Sequence, residues 1–318
     1  MQDVTDLAFW GLMARYSGAD LYYTEYFRVH GDSRLEKHIL RSLDDNPTGK
    51  PALAQMIGNE VEPLVRSAKE LLQHPIAGVD LNLGCPAPVV YKKCAGGGLL
   101  RDLPRVEKLI AALREAIPTR FTVKTRIGFE DEVDFAALLH LFTKYGVDLV
   151  TVHGRTVLQM YRPGVRYDLI QYAASTLTCP VLANGDVFSP ADAQQVLQTT
   201  GVRGLMLGRG AIRNPWLFAQ IRAHCAGLNF NLPTGRDVLA YIRDLYEHVT
   251  APGTELARVH KMKRYMNYLG LGIPDGLRFL HDMRRCTTST AFFAVCSEYL
   301  DHAEPLSLVP LIQEQRRI

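Results

Sequence analysis

Asn82 and Cys85 stand where a strand gives way to a loop, in the stretch GVDLNLGCPAPVVYKKCAGGGLL over residues 78–100. A thiol of ordinary acidity, with a pKa near ~8.5, is roughly 3% ionised at neutral pH. No basic residue adjoins Cys85 in sequence to shift that balance, so proton donation suits it better than nucleophilic attack. The plainer use of a free cysteine is as a small buried hydrophobe. Cys94 is the rival thiol of the same loop, with Lys92 and Lys93 beside it. Polar residues recur at comparable places along the chain: Gln55 after Leu53-Ala54, Lys124 and Arg126 in VKTR, His153 before Gly154-Arg155, then Asn184-Gly185-Asp186 and Gly208-Arg209-Gly210. Glycines at 185, 208 and 210 let a backbone approach a phosphate closely, and Arg209 can add a charge-assisted hydrogen bond. Lys124 is alone in an apolar strand and needs an anion there, either a ligand or a carboxylate from another strand.

These residues act together only if the chain brings them to one place. Val79, Leu81 and Leu83 alternate with Asp80 and Asn82, the period of a strand. Comparable patterns predict strands at 21–26, 51–57, 78–84, 121–127, 149–153, 181–184 and 202–207. Apolar residues at helical spacing predict helices at 3–15, 61–72, 104–117 and 135–145. Another starts at Ser189, with serine as cap and Pro190 in the first turn. This alternation implies right-handed βαβ units around a parallel sheet, and a doubly wound sheet and a (β/α)8 barrel both fit it. In a barrel the polar strand ends would face one mouth, and the loops after the last two strands often bind phosphate. From about Pro233 strand patterns stop. Helices are expected at 238–249, 256–269 and 292–300, dividing the chain into an α/β domain over 1–228 and a helical domain over 229–318. The second of those helices carries Arg258, His260, Lys261, Lys263 and Arg264, with 260, 261 and 264 on one face.

Asn82-Leu83-Gly84-Cys85-Pro86, followed by the glycine run 96–98 and Leu99-Leu100, resembles the signature of the tRNA-dihydrouridine synthases, FMN-dependent enzymes that reduce a uridine in tRNA. The resemblance extends over nearly the whole chain in motif order. It implies a TIM barrel with a C-terminal all-helical domain. It also implies that Met1, Gln55, Lys124, His153, Asn184, Gly185, Asp186, Gly208 and Arg209 hold FMN. Asn82 would sit near the target uracil, with Arg126 and Tyr161 lining the substrate pocket. NADPH would reduce the flavin, whose N5 gives hydride to C6 of the uracil while Cys85 gives a proton to C5. The family commonly lacks a cysteine at the position of Cys94, which favours Cys85 as the acid. The uridine must leave the RNA stack to be reached. Arg258, Lys261, Lys263 and Arg264 would meet tRNA phosphates, making binding salt-sensitive. The stretch Tyr23-Thr24-Glu25-Tyr26-Phe27-Arg28 resembles the bacterial C branch of the family. A strand ending in Ala-Pro-Met precedes the first helix in the family; Met1 matches that methionine, so the first barrel strand is expected to be missing from this sequence.

Composition sets outer bounds. The 318 residues are 47% hydrophobic and 22% charged, enough for one domain of ~250 residues and a small second one. The formal net charge of +3 permits a nucleic-acid partner without requiring one. The six cysteines form no CxxC pair, which argues against a zinc site and a disulfide framework and fits a reducing cytoplasm. No metal is expected. No apolar run approaches the ~20 residues of a membrane span, and Asp3 and Asp6 stand where a signal peptide would be basic. A cytoplasmic monomer is expected. Two rival functions keep most of these residues: an FMN-dependent dehydrogenase of a free pyrimidine, of the dihydroorotate or dihydropyrimidine type, and a tRNA-binding relative without catalysis. Activity on free uracil would mark the first, and tRNA affinity without flavin the second.

Overall fold

The computed structural model describes residues 1–250 and 253–311. Among the described residues, parallel pairing gathers eight strands into one sheet: β1 Tyr22–Tyr23, β2 Phe27–Arg28, β3 Ala52–Ile57, β4 Gly78–Leu83, β5 Phe121–Arg126, β6 Leu149–His153, β7 Val181–Asn184 and β8 Gly204–Met206. Strands β3 to β8 pair in sequence order, while β1 and β2 both pair with β3. The strand predicted over 21–26 is therefore two short pieces, paired with Ala52–Leu53 and Met56–Ile57 respectively. Every residue of β3 and β4 is buried, as expected of parallel strands covered on both faces. Outward positions such as Leu81 and Val123 are buried in the apolar core with helix residues such as Leu64, Leu109 and Leu138. Several inward positions are polar: Gln55, Asp80 and Thr122 hydrogen-bond to one another across three strands.

This is a TIM-barrel-like half-barrel with helices appended at its C-terminal end. Among the described residues no ladder joins β8 to β1. Residues ahead of the first helix lie beside that gap. The Val4 N–H donates to Glu25 Oε1 at 3.1 Å, and Met1 Sδ would lie 3.6 Å from a Cβ placed on Gly208.

Most predicted helices are present, and their ends follow local chemistry. Asp6 caps Leu7–Tyr16 through the Phe9 N–H, and Asp102 caps Leu103–Ala116 through the Arg105 N–H. Ser189 and Asp192 form a reciprocal capping box ahead of Pro190–Thr200. Helices at Lys37–Asp44, Tyr167–Thr176, Leu217–Cys225 and Gly276–Arg285 are additional to those expected. Tyr167–Thr176 buries only Ile170 and Ala173 and has no side-chain cap.

A second apolar core lies under the C-terminal helices Gly235–Asp244, Glu255–Leu269, Gly276–Arg285 and Ser289–Leu300. It does not stop at residue 229. Phe9, Leu12 and Met13 of the first helix belong to it, while Trp10 of the same helix faces the barrel core. Tyr265 Oη donates to Val4 O at 2.7 Å and Tyr16 Oη to Asp244 Oδ2 at 2.7 Å, so the first helix and the residues ahead of it are hydrogen-bonded to the C-terminal helices. No helix among the described residues is long and apolar enough to cross a membrane.

Candidate active site

Strand register explains why residues far apart in sequence meet. Asn82 is paired in register with Lys124, and Arg126 with His153, which is in turn level with Asn184 and Met206. In parallel strands, residues at one level whose side chains point the same way share one lumen. They open on a cavity of about 880 Å³ at the C-terminal ends of the strands, within the range of small-molecule sites. Met1, Gln55, Asn82, Cys85, Lys124, Arg126, His153, Tyr161, Asn184, Gly185, Asp186, Gly208 and Arg209 all border it, so the candidate cofactor and substrate residues are brought together.

The Cys85 loop is fixed from below by a side-chain amide. Asn82 Oδ1 accepts from the Gly84 N–H at 3.0 Å and the Cys85 N–H at 2.9 Å. Its Nδ2 donates to Gln55 Oε1 at 2.8 Å. From above, the buried Arg126 clamps the loop: Nε donates to Gly84 O at 3.0 Å, and Nη1 to Thr156 O and Met160 O at 2.8 and 2.7 Å. Burial pushes the Arg126 guanidinium down to about 10, so it remains a cation at neutral pH. Its sequence-based placement against substrate therefore coincides with a bracing role between two loops.

The glycine run closes the same loop from the side. The Gly97 N–H donates to Cys85 O at 3.2 Å, and Gly96 has φ +53°. A Cβ on Gly98 would stand 2.4 Å from Tyr91 O and 2.9 Å from Tyr91 Cα, both backbone atoms that cannot rotate away. Gly98→Ala is therefore expected to destabilise the chain by about 1–3 kcal/mol and to speed alkylation of Cys85 by loosening its loop. Thermal denaturation and peptide-resolved thiol labelling check this; an unchanged melting temperature would show that the loop yields freely.

Cations crowd the cavity. Lys124 Nζ donates to an amide oxygen, Asn184 Oδ1, at 3.1 Å, rather than to a carboxylate. Burial, then the neighbouring Arg126, push its ammonium down to about 8. Arg155 and Arg209 share one carboxylate, Asp186, which Arg155 grips with both terminal nitrogens and Arg209 meets at 2.9 Å. The Tyr161 ring lies beneath two guanidiniums, 4.9 Å from Arg209 and 5.5 Å from Arg126. His153, enclosed by Arg126, Lys124, Arg155 and Arg209, is held well below its usual range, chiefly by burial. It is neutral at pH 7. Its Nε2 faces Arg155 Nη1 at 3.3 Å, and a guanidinium only donates, so the imidazole proton sits on Nδ1. Gly185 has φ +129°, which only glycine adopts cheaply, and its carbonyl accepts from Tyr167 Oη at 2.8 Å. Among the residues that line the cavity, Lys124, Arg126, Arg203, Arg209 and Arg222 outnumber Asp20, Glu25 and Asp186, so the cavity suits an anionic ligand.

Sequence reading missed several contributors. Asp80 was noted only as a polar position in an alternating strand, yet it is fully buried and bonded to Thr122 and Gln55. Arg155 was read as a neighbour of His153, not as the ion-pair partner of Asp186. Tyr26 also borders the cavity; burial, then the neighbouring Cys85, push its hydroxyl up to about 12, so it stays protonated. No local pattern could have revealed Tyr26, because the contact joins β1–β2 to the β4 loop.

The basic helix is less available than its sequence implies. Lys261 Nζ pairs with Asp6 Oδ2 at 2.8 Å and donates to Val249 O at 2.8 Å. Lys263 Nζ donates to Arg284 O at 2.8 Å, and Arg258 donates to Tyr246 O at 2.9 Å while lying 3.9 Å over that tyrosine's ring. His260 and Arg264 are exposed.

Comparison with known proteins bears on these features. A family model described as dihydrouridine synthase (Dus) matches residues 1–303. A probable tRNA-dihydrouridine synthase of Rickettsia prowazekii is 32% identical over 294 residues, 91% of this chain and 88% of that protein. The tRNA-dihydrouridine synthase B of Xanthomonas campestris pv. campestris is 31% identical over 313 residues, 95% of this chain and 91% of that protein. Among solved structures, a variant of NCR from Zymomonas mobilis superposes with a TM-score of 0.51 at 15% identity, covering 72% of this chain and 83% of that one; this is a likeness of fold.

Proposed function

This chain belongs to the dihydrouridine synthase family, and we propose that it reduces a uridine of tRNA to 5,6-dihydrouridine with FMN as cofactor and NADPH as reductant. The observation that carries the proposal is the meeting, on one cavity, of a braced thiol loop and a cation-rich wall. The residues present fit FMN. The surplus of cations suits its phosphate and the anionic character of its reduced ring, and the loop at Gly185 with its positive φ leaves room for close backbone approach. Lys124, Gln55 and His153 would hold the ring system, with Asn184, Gly185, Asp186, Gly208 and Arg209 toward the phosphate end and Met1 at the rim. Bound FMN, once reduced, supplies hydride chemistry at C6 of a uracil.

The chain's own residues do the rest. Cys85 holds a proton at Sγ and gives it to C5. Asn82, whose orientation is fixed by its bonds to Gln55 and the loop backbone, presents its remaining amide N–H toward a uracil carbonyl. Tyr161, beneath the Arg126 and Arg209 guanidiniums, offers a ring face for a base drawn out of the RNA stack. A tRNA substrate supports a cytoplasmic site of action. The test is to incubate the flavin-loaded chain with NADPH and unmodified tRNA and to find, by nucleoside mass analysis, a uridine that has gained two hydrogens; conversion of free uracil instead would favour a free-pyrimidine dehydrogenase.

The helical region is proposed to hold tRNA through phosphate contacts. Arg264→Ala should weaken tRNA binding across sequences, reduce the salt slope by about 1 and leave the melting temperature unchanged. Lys261→Ala should lower the melting temperature, because its ion pair with Asp6 ties the C-terminal helices to the first helix. That pair is about a third exposed on each side, so its loss costs no more than about 1 kcal/mol. Salt-dependent filter binding together with thermal denaturation separates the two; equal effects of both variants on both readouts would remove the distinction.

A further inference from the structure

We propose that Asp80 is a positioning residue for Cys85, acting through a one-way relay of hydrogen bonds that runs beneath the cavity. Thr122 Oγ1 donates to Asp80 Oδ1 at 2.6 Å, and Gln55 Nε2 donates to Asp80 Oδ2 at 2.7 Å. Gln55 Oε1 accepts from Asn82 Nδ2 at 2.8 Å, and Asn82 Oδ1 accepts the Gly84 and Cys85 N–H groups. An amide side chain can usually be placed either way round, but here both ends of the relay are fixed. A carboxylate only accepts and a backbone N–H only donates, so neither amide between them can turn over. Asp80 is thus the terminal acceptor that holds the loop of the proposed acid through two intermediaries. The same polarity leaves one N–H of Gln55 and one of Asn82 for the cavity, donors suited to the carbonyls of a uracil or a flavin. Asp80, at 0% exposure, touches neither ligand space nor the thiol.

A charge buried so completely is costly unless it is hydrogen-bonded, and Asp80 takes its bonds from Thr122 and Gln55. The charged and titratable groups that face it are Lys124 from β5 and Tyr23 from β1. Burial pushes the carboxyl up to about 6, while the bonds from Thr122 and Gln55 and the charge of Lys124 oppose that rise. The relay is therefore complete above that pH and loses its obligate acceptor below it.

The proposal rests on the reading of Cys85 as the acid, so its test uses a readout that does not depend on tRNA. Alkylation of Cys85 by iodoacetamide, located by peptide mass, is followed against pH alongside tRNA reduction by the flavin-loaded enzyme. In the unsubstituted chain both profiles should show a break near the Asp80 pKa. Thr122→Val removes a donor to the carboxylate and should move the break to higher pH. Asp80→Asn, of the same shape, should abolish the break and lower the rate of tRNA reduction on the order of tenfold with the KM for tRNA unchanged. A break that stays in place in both variants overturns the proposal, as does a loss of activity that only tracks melting temperature. If no variant or parent reduces tRNA, the reading of function fails, and the alkylation profiles still decide the role of Asp80.

Discussion

Replacing Cys85 by alanine is expected to slow tRNA reduction by about 10²–10⁴-fold, the usual worth of a positioned proton donor. Flavin binding and flavin reduction by NADPH should persist in that variant, because the Lys124 ammonium is held by Asn184 and not by the thiol. The reductive half should thus run and the oxidative half stall. Anaerobic mixing of the reduced variant with unmodified tRNA measures this directly. Cys94→Ala provides the control. Cys94 is exposed, with Arg101 Nη2 at 3.9 Å from its sulfur, and does not border the cavity. Its removal should leave both halves intact. Were Cys94→Ala the slow variant and Cys85→Ala the normal one, the assignment of the acid would be reversed.

Lys124→Met should weaken FMN binding by roughly ten- to hundredfold, the equivalent of losing a hydrogen bond to a charged group worth about 1.5–3 kcal/mol. The reduced flavin, with more negative charge, should lose more than the oxidised form, so the variant should also be harder to reduce. The sign of the pH effect follows from the lysine. Its ammonium is pushed down to about 8, so the cation is present below that pH and is lost above it. FMN affinity of the parent chain should therefore fall as pH rises past about 8, and Lys124→Met should flatten that fall. Bound anion stabilises the ammonium, which shifts the fall upward in saturated enzyme. Equilibrium dialysis of FMN across pH, with parent and variant side by side, checks both statements. A parent whose affinity is constant to pH 10 would show that Lys124 does not face the flavin.

The parts of the site that were legible in sequence are those written locally. The Asn82–Cys85 spacing, the glycines at 185, 208 and 210 and the lone lysine in β5 each declare a strand end or a buried charge without reference to any partner. The alternation in β4 likewise puts Asn82 on the same face as Asp80, while its register with Lys124 emerges only from the strand pairing. The parts that were not legible are pairings. Asp80 alternates with the same apolar residues as Asn82, and nothing in the strand distinguishes a structural polar position from the end of a relay. Arg126 reads as a substrate contact by the family resemblance, yet its bonds to Gly84, Thr156 and Met160 depend on where two other loops come to rest. The basic helix illustrates the reverse error. Its charges were read as one solvent-facing cluster, whereas Lys261 and Lys263 find acceptors on neighbouring elements that no periodicity records.

The most direct test of the central claim is the visible absorbance of the flavin-loaded chain through one turnover without oxygen. NADPH should bleach the flavin band, and unmodified tRNA should restore it, one flavin for each dihydrouridine formed. A band that stays bleached with tRNA but returns with a free pyrimidine, or a chain that takes up no FMN at all, would contradict the account.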